Sequence, residues 1–156
     1  MAHTYEAVVS WERDGALFFD NRYSRAHQWG FDGGLAVPAS ASPLHVRAPM
    51  SRVDAVDPEE AFVAALSSCH MLFFLSFAAT GGFVVDRYRD TPVGTMGRDE
   101  AGHEFVATVE LRPAVRFSGR RTPDAGEVEA LHHRAHAACY LANSVRTAIQ
   151  IAPSEP

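Results

Sequence analysis

The stretch Asp57–Phe83, DPEEAFVAALSSCHMLFFLSFAATGGF, constrains this chain more than any other segment. Pro58 suits the first helical position, where a missing N–H costs nothing, and Asp57 before it can cap. Glu59 and Glu60 place negative charge on the positive helix end, and Gly81-Gly82 stops the helix. Between those signals Ala, Leu, Phe, Ser and Met run without a charged residue after Glu60. A helix that is apolar nearly all round must be covered on most sides. The expectation is a buried axis over residues 58–80 with Cys69 at its middle. A bilayer span needs about 20 strongly apolar residues. This run reaches that length only by counting the Ser67-Ser68-Cys69-His70 patch, so no membrane is expected.

The remaining chain reads as strands around that axis. The 156 residues fit one domain with its own core. Net charge is −5 with no basic run, which argues against nucleic acid. The N-terminus MAHTYEAVVSWERDG has no apolar signal core, so a cytoplasmic location is expected. Residues 3–11 and 16–23 are β-rich runs flanking Arg13-Asp14-Gly15, a hairpin turn signal. His27–Phe31 continues the second strand or starts a third, and a strand is possible at Leu44–Arg47, so β structure is expected over 3–50. Residues 83–96 and 104–117 read as strands within 83–117, joined by a turn at Arg98–Gly102. Pro113 implies an edge position or a bulge. Thr122-Pro123-Asp124 opens a helical region over 123–147 that breaks near Cys139, and 148–152 is a closing strand. Strands, a buried helix, strands, a helix and a strand make an α+β domain.

Two cysteines in a reducing compartment are either inert buried thiols or a redox pair. Ser67, Ser68 and His70 beside Cys69 are polar side chains in an otherwise apolar helix. They must meet hydrogen-bonding groups from elsewhere or line a cleft. His132, His136 and Cys139 are spaced four and three apart and share a helix face. A metal site completed by Cys69 or His70 is one reading of them, and a histidine cluster at a helix end is the other. Glu59 and Cys69 are ten residues apart, about 15 Å along one helix. A glutamate serving that cysteine would therefore come from a second, antiparallel copy of the helix. The nucleophile is a thiolate, which a nearby cation favours. Arg13, Arg22, Arg25, Arg47 and Arg52 precede the helix, and spacing alone does not choose between them.

DPEEAFVAALSSCHMLFFLSFAA, then GFVVDRYRD with a strand pair, then LHHRAHAACYLANSVRT and a closing strand, resembles the OsmC/Ohr family of thiol peroxidases. YSRAHQWGFDGG and the SASP after it look like an OsmC-like subgroup outside the osmotically inducible and organic hydroperoxide resistance groups. The resemblance implies an intertwined homodimer, with two central helices wrapped by antiparallel β-sheets and sites at the interface. It implies that Cys69 is the peroxidatic cysteine, Cys139 the resolving one, and Glu59 the partner of an active-site arginine. Arg13 sits where the hydroperoxide resistance group has that arginine, Arg47 lies nearer the position in the osmotically inducible group, and Arg25 is distinctive of the subgroup. Tyr140 stands where the family often has a proline after its second cysteine.

The implied activity is reduction of organic, fatty-acyl type hydroperoxides with an external dithiol reductant, a lipoyl-type dithiol being one candidate, and no cofactor or metal. Phe62, Leu66, His70, Phe73 and His136 are the expected substrate pocket, with Phe74 and Phe77 extending an apolar wall. Plain packing explains those aromatics equally well. The rival readings are a non-catalytic small-molecule binder on the same fold and a metal-binding protein using His132, His136, Cys139 and Cys69 or His70.

Overall fold

The structure, a computed structural model, describes residues 2–154. The chain divides into two compact units, Met1–Ala61 and Phe62–Pro156.

The first unit holds an antiparallel sheet of β1 (Ala7–Ser10), β2 (His27–Phe31) and β3 (Ala36–Ala39), in that order. Arg13-Asp14-Gly15 does form a tight turn. Asp14 and Gly15 have φ of 50° and 73°, and the Ala16 N–H donates to the Arg13 carbonyl at 3.2 Å. The strand expected at 16–23 is absent, however, and β1 pairs with β2 instead. Two local preferences displace that strand. Asn21 takes a left-handed φ of 57°, and Phe18 stacks on Tyr23 at 4.8 Å while Tyr23 meets Trp11 edge-on at 5.3 Å. Leu44–Arg47 is likewise a turn, tied by the Val46 N–H to the Ser42 carbonyl at 2.9 Å. β3 escaped the sequence reading because it contains Pro38. The strand tolerates that proline at the edge of the β1–β2–β3 sheet, where the Pro38 carbonyl accepts from the Val56 N–H at 3.1 Å.

α1 spans Pro58–Thr80. Asp57 caps it: its Oδ1 accepts from the Glu60 N–H at 2.8 Å, and Glu60 Oε2 accepts from the Asp57 N–H at 3.3 Å. At the other end Gly82 takes φ 76° and the Phe83 N–H donates to the Ala78 carbonyl at 3.0 Å. By length and composition α1 is able to cross a bilayer. Its inner side is nonetheless built for a protein core, with Leu66, Ser67, His70, Phe74 and Ala78 buried.

The second unit has two further sheets. β4 (Val84–Arg89) pairs antiparallel with β7 (Ala114–Ser118). β5 (Val93–Arg98), β6 (Glu104–Leu111) and β8 (Ala148–Ile151) form the other sheet, with β5 antiparallel and β8 parallel to β6. The runs expected as single strands, 83–96 and 104–117, are therefore each broken in two. The breaks fall at Asp90-Thr91-Pro92 and at Arg112-Pro113, where proline removes a ladder donor. Asp90 Oδ1 ties them together by accepting from the Arg112 N–H at 2.6 Å. α2 (Ala125–Ala138) starts at Asp124 with a full Asp124–Glu127 capping box.

Two apolar clusters hold this unit. Phe74, Ala78, Phe83, Leu131 and Ala135 form one, with Val85, Tyr88, Val115 and Phe117 packed against it. Leu66, Val109 and Leu111 form the other, flanked by Phe62, Val63, Val106, Ile149 and Ile151.

Candidate functional site

α2 ends one residue before Cys139, which is its C-cap with extended backbone. Asn143 fastens this end. Its Nδ2 donates to the Ala137 and Cys139 carbonyls at 3.0 Å each, and its N–H donates to the Cys139 carbonyl at 3.1 Å. The Cys139 sulfur accepts from the Ala142 N–H at 3.4 Å. On α1, one turn above Leu66, Cys69 is half-buried. The two side chains meet: Cys69 lies close enough to Cys139 to act on its thiol, and both cysteines are free. Burial, and then the neighbouring Cys69, push the Cys139 thiol pKa up. Cys139 is thus held toward the protonated form.

The polar patch around Cys69 has found partners. Ser67 Oγ donates to Asp90 Oδ2 at 2.6 Å. His70 Nε2 and His132 Nδ1 are 3.0 Å apart with nearly parallel rings. Burial, chiefly, lowers the pKa of both imidazoles to about 4, so the pair is neutral at ordinary pH. For His70, His136 adds to that shift and Asp90 opposes it. The outer nitrogens, His70 Nδ1 and His132 Nε2, are buried without partners among the described residues.

The other expected site residues fall in distinct places. Leu66 and His70 are each 1% exposed. Phe62 packs on the Leu66 cluster, and Phe73 on the Phe74 cluster and edge-on to Tyr140 at 5.0 Å. His136 lines a cavity of about 580 Å³ with Val128, His132, Ile149 and Ile151. No group of three or more His, Cys, Asp or Glu side chains among the described residues is arranged to hold a metal.

Glu59, Arg13, Arg25 and Arg47 all belong to the N-terminal unit. Arg13 and Arg47 are exposed, and Arg13 Nη1 donates to its own turn at the Ala16 carbonyl, 2.8 Å away. Arg25 is the half-buried one of the three. Its guanidinium lies 4.0 Å over the Tyr23 ring and donates to Asn21 Oδ1 at 2.6 Å. It lines a groove of about 480 Å³ with Trp11, Phe18, Tyr23 and His27. Glu59 is half-buried in the first turn of α1, where Glu60 rather than Glu59 serves the cap.

Sequence reasoning missed Asp90. The sequence reading placed it inside one strand over 83–96, and only the fold breaks that strand and brings the carboxylate to Ser67.

A family model described as OsmC-like protein matches residues 51–154. The chain belongs to the OsmC-like family. An OsmC-like protein of unknown function from Vibrio cholerae is 49% identical, with TM-score 0.96 over 98% of this chain and 100% of that one. An organic hydroperoxide resistance protein from Elizabethkingia anophelis shares the fold at 18% identity and TM-score 0.74, over 100% of this chain and 99% of that one. Another from Bacillus subtilis shares it at 16% identity and TM-score 0.67, over 97% and 98%. No curated protein matches the chain. The α+β fold expected from the sequence is thus the OsmC-like one.

Proposed function

We propose that this OsmC-like chain is a thiol-dependent peroxidase that reduces organic, fatty-acyl type hydroperoxides to alcohols in the reducing cytoplasm. The observation that carries the reading is the contact between two free thiols, Cys69 in mid-helix and Cys139 at a helix end. In the first step the Cys69 thiolate attacks the outer peroxide oxygen. The O–O bond breaks, Cys69 becomes a sulfenic acid, and the alkoxide takes a proton and leaves as the alcohol. The Cys139 thiol then condenses with the sulfenic acid, expelling water and forming the Cys69–Cys139 disulfide. An external dithiol of lipoyl type reduces that disulfide by two exchange steps. Cys139 suits the resolving role, since a thiol held protonated by burial competes poorly for the peroxide.

The active form in this reading is a homodimer. Ala64, Ala65, Ser68, Leu72, Ser76 and Ala79 leave one stripe of α1 exposed, with Leu72 at 61%. Mostly small side chains on that stripe suit close approach of a second α1 rather than lipid. Glu59 would reach Cys69 only from that second copy, paired with an arginine, for which Arg25 has the most pocket-like setting.

With an organic hydroperoxide and a dithiol, Cys69→Ser should abolish peroxide consumption. Cys139→Ser should allow one oxidation of Cys69 and then stall or over-oxidise it. Full turnover by Cys69→Ser rejects the mechanism, and thiols that survive peroxide untouched point to a binder instead. For the dimer, Leu72→Glu should shift sedimentation to a single chain with secondary structure kept. A folded, active wild-type species near 17.0 kDa would reject the composite site.

A further inference from the structure

The outer side of the β4–β7 pair carries an unusual concentration of charge. Val85, Tyr88, Val115 and Phe117 turn inward onto the Phe74 cluster. That leaves Arg87, Arg89 and Arg116 on the opposite side, since strand side chains alternate and a bulge lies between Val85 and Arg87. Arg87 and Arg116 stand directly opposite in register, an arrangement that costs stability when nothing anionic lies between the two. Arg112 joins them, and Thr91 and Ser154 complete a cleft of about 530 Å³. Two of the four guanidinium groups have carboxylate partners: Arg112 with Glu110, and Arg116 with Asp86 at 3.9 Å. Arg87 and Arg89 make no ion pair or side-chain hydrogen bond among the described residues.

The chemistry of the cleft narrows the ligand. All of the chain's basic side chains are arginines, and four of the 14 gather here although the net charge is −5. Guanidinium groups bind phosphate and carboxylate oxygens through paired N–H donors, which lysine does not offer. An extended polyanion such as nucleic acid would also meet the repulsion of a chain with net charge −5. A compact polyanion would not. We propose that this cleft binds a short polyphosphate, either inorganic or the phosphate chain of a nucleotide. The site is independent of the cysteine pair and of the peroxidase reading.

Calorimetric titration of the full chain at low ionic strength, with sodium triphosphate in one arm and ATP in another, tests it. One site per chain is expected. Binding should weaken as salt rises, and Arg87→Gln/Arg89→Gln should weaken it roughly tenfold or more. Arg120→Gln, an exposed arginine elsewhere, should leave it unchanged. Tighter binding of ATP than of triphosphate identifies a nucleotide source, and equal binding identifies the phosphate chain alone. Absence of binding in both arms overturns the proposal. So does binding that the double variant keeps, or that Arg120→Gln weakens as much.

Discussion

The two compact units differ in what they bury. The C-terminal unit hides Phe74, Leu66, Val109 and Leu111 almost completely, in two apolar clusters. The buried residues of the N-terminal unit are small or polar: Ala39, Ser40, Ser42, Ser51 and Asp57. Its large apolar side chains lie outside. Phe19 is fully exposed, Tyr5 is 92% exposed, and all four residues of β1 face solvent. An antiparallel sheet normally has one face on a core, and contiguous exposed apolar surface marks an interaction surface. One unit is therefore held by packing, whereas hydrogen bonds and turns shape the other.

The contrast can be broken most directly at Phe74. Phe74→Ala removes the largest fully buried side chain and should cost about 3–5 kcal/mol in denaturant unfolding. A cost below about 1 kcal/mol would mean that the C-terminal core is not what holds the protein. The next effect is acid-dependent. The unfolded chain takes up protons on His70 and His132 around the ordinary value of 6.5, whereas the folded chain resists until about 4. Stability should thus fall as pH drops through that window, by on the order of a few kcal/mol for the pair, and gain nothing further from these groups below it. Denaturant midpoints across that range should lose about half of this slope in His132→Asn, since burial keeps the His70 shift in place. An unchanged slope would place the acid sensitivity elsewhere. The smallest effect is expected in the N-terminal unit. Asp57→Ala removes the α1 cap and should cost about 1 kcal/mol. A cost matching that of Phe74→Ala would erase the distinction between the units.

What the sequence determined by itself was local. Asp57-Pro58 and Gly81-Gly82 bound α1 within the chain because caps and stops act over three or four residues. Asp124 opened α2 for the same reason, and the break expected near Cys139 is where α2 ends. The need of the Ser67–His70 patch for partners was also legible, because buried polar groups do not go unpaired. The partners themselves came from tertiary structure. Asp90 and His132 lie 23 and 62 residues away from Ser67 and His70, beyond any local signal. Strand pairing was decided in the same way. Nothing within residues 16–23 says that β1 prefers His27–Phe31, since register depends on where two distant segments can share hydrogen bonds. The arginine cleft is the extreme case. Its four guanidinium groups come from β4, from β7 and from the Arg112-Pro113 break before β7, and the pairing of β4 with β7 brings these separate segments to one cleft.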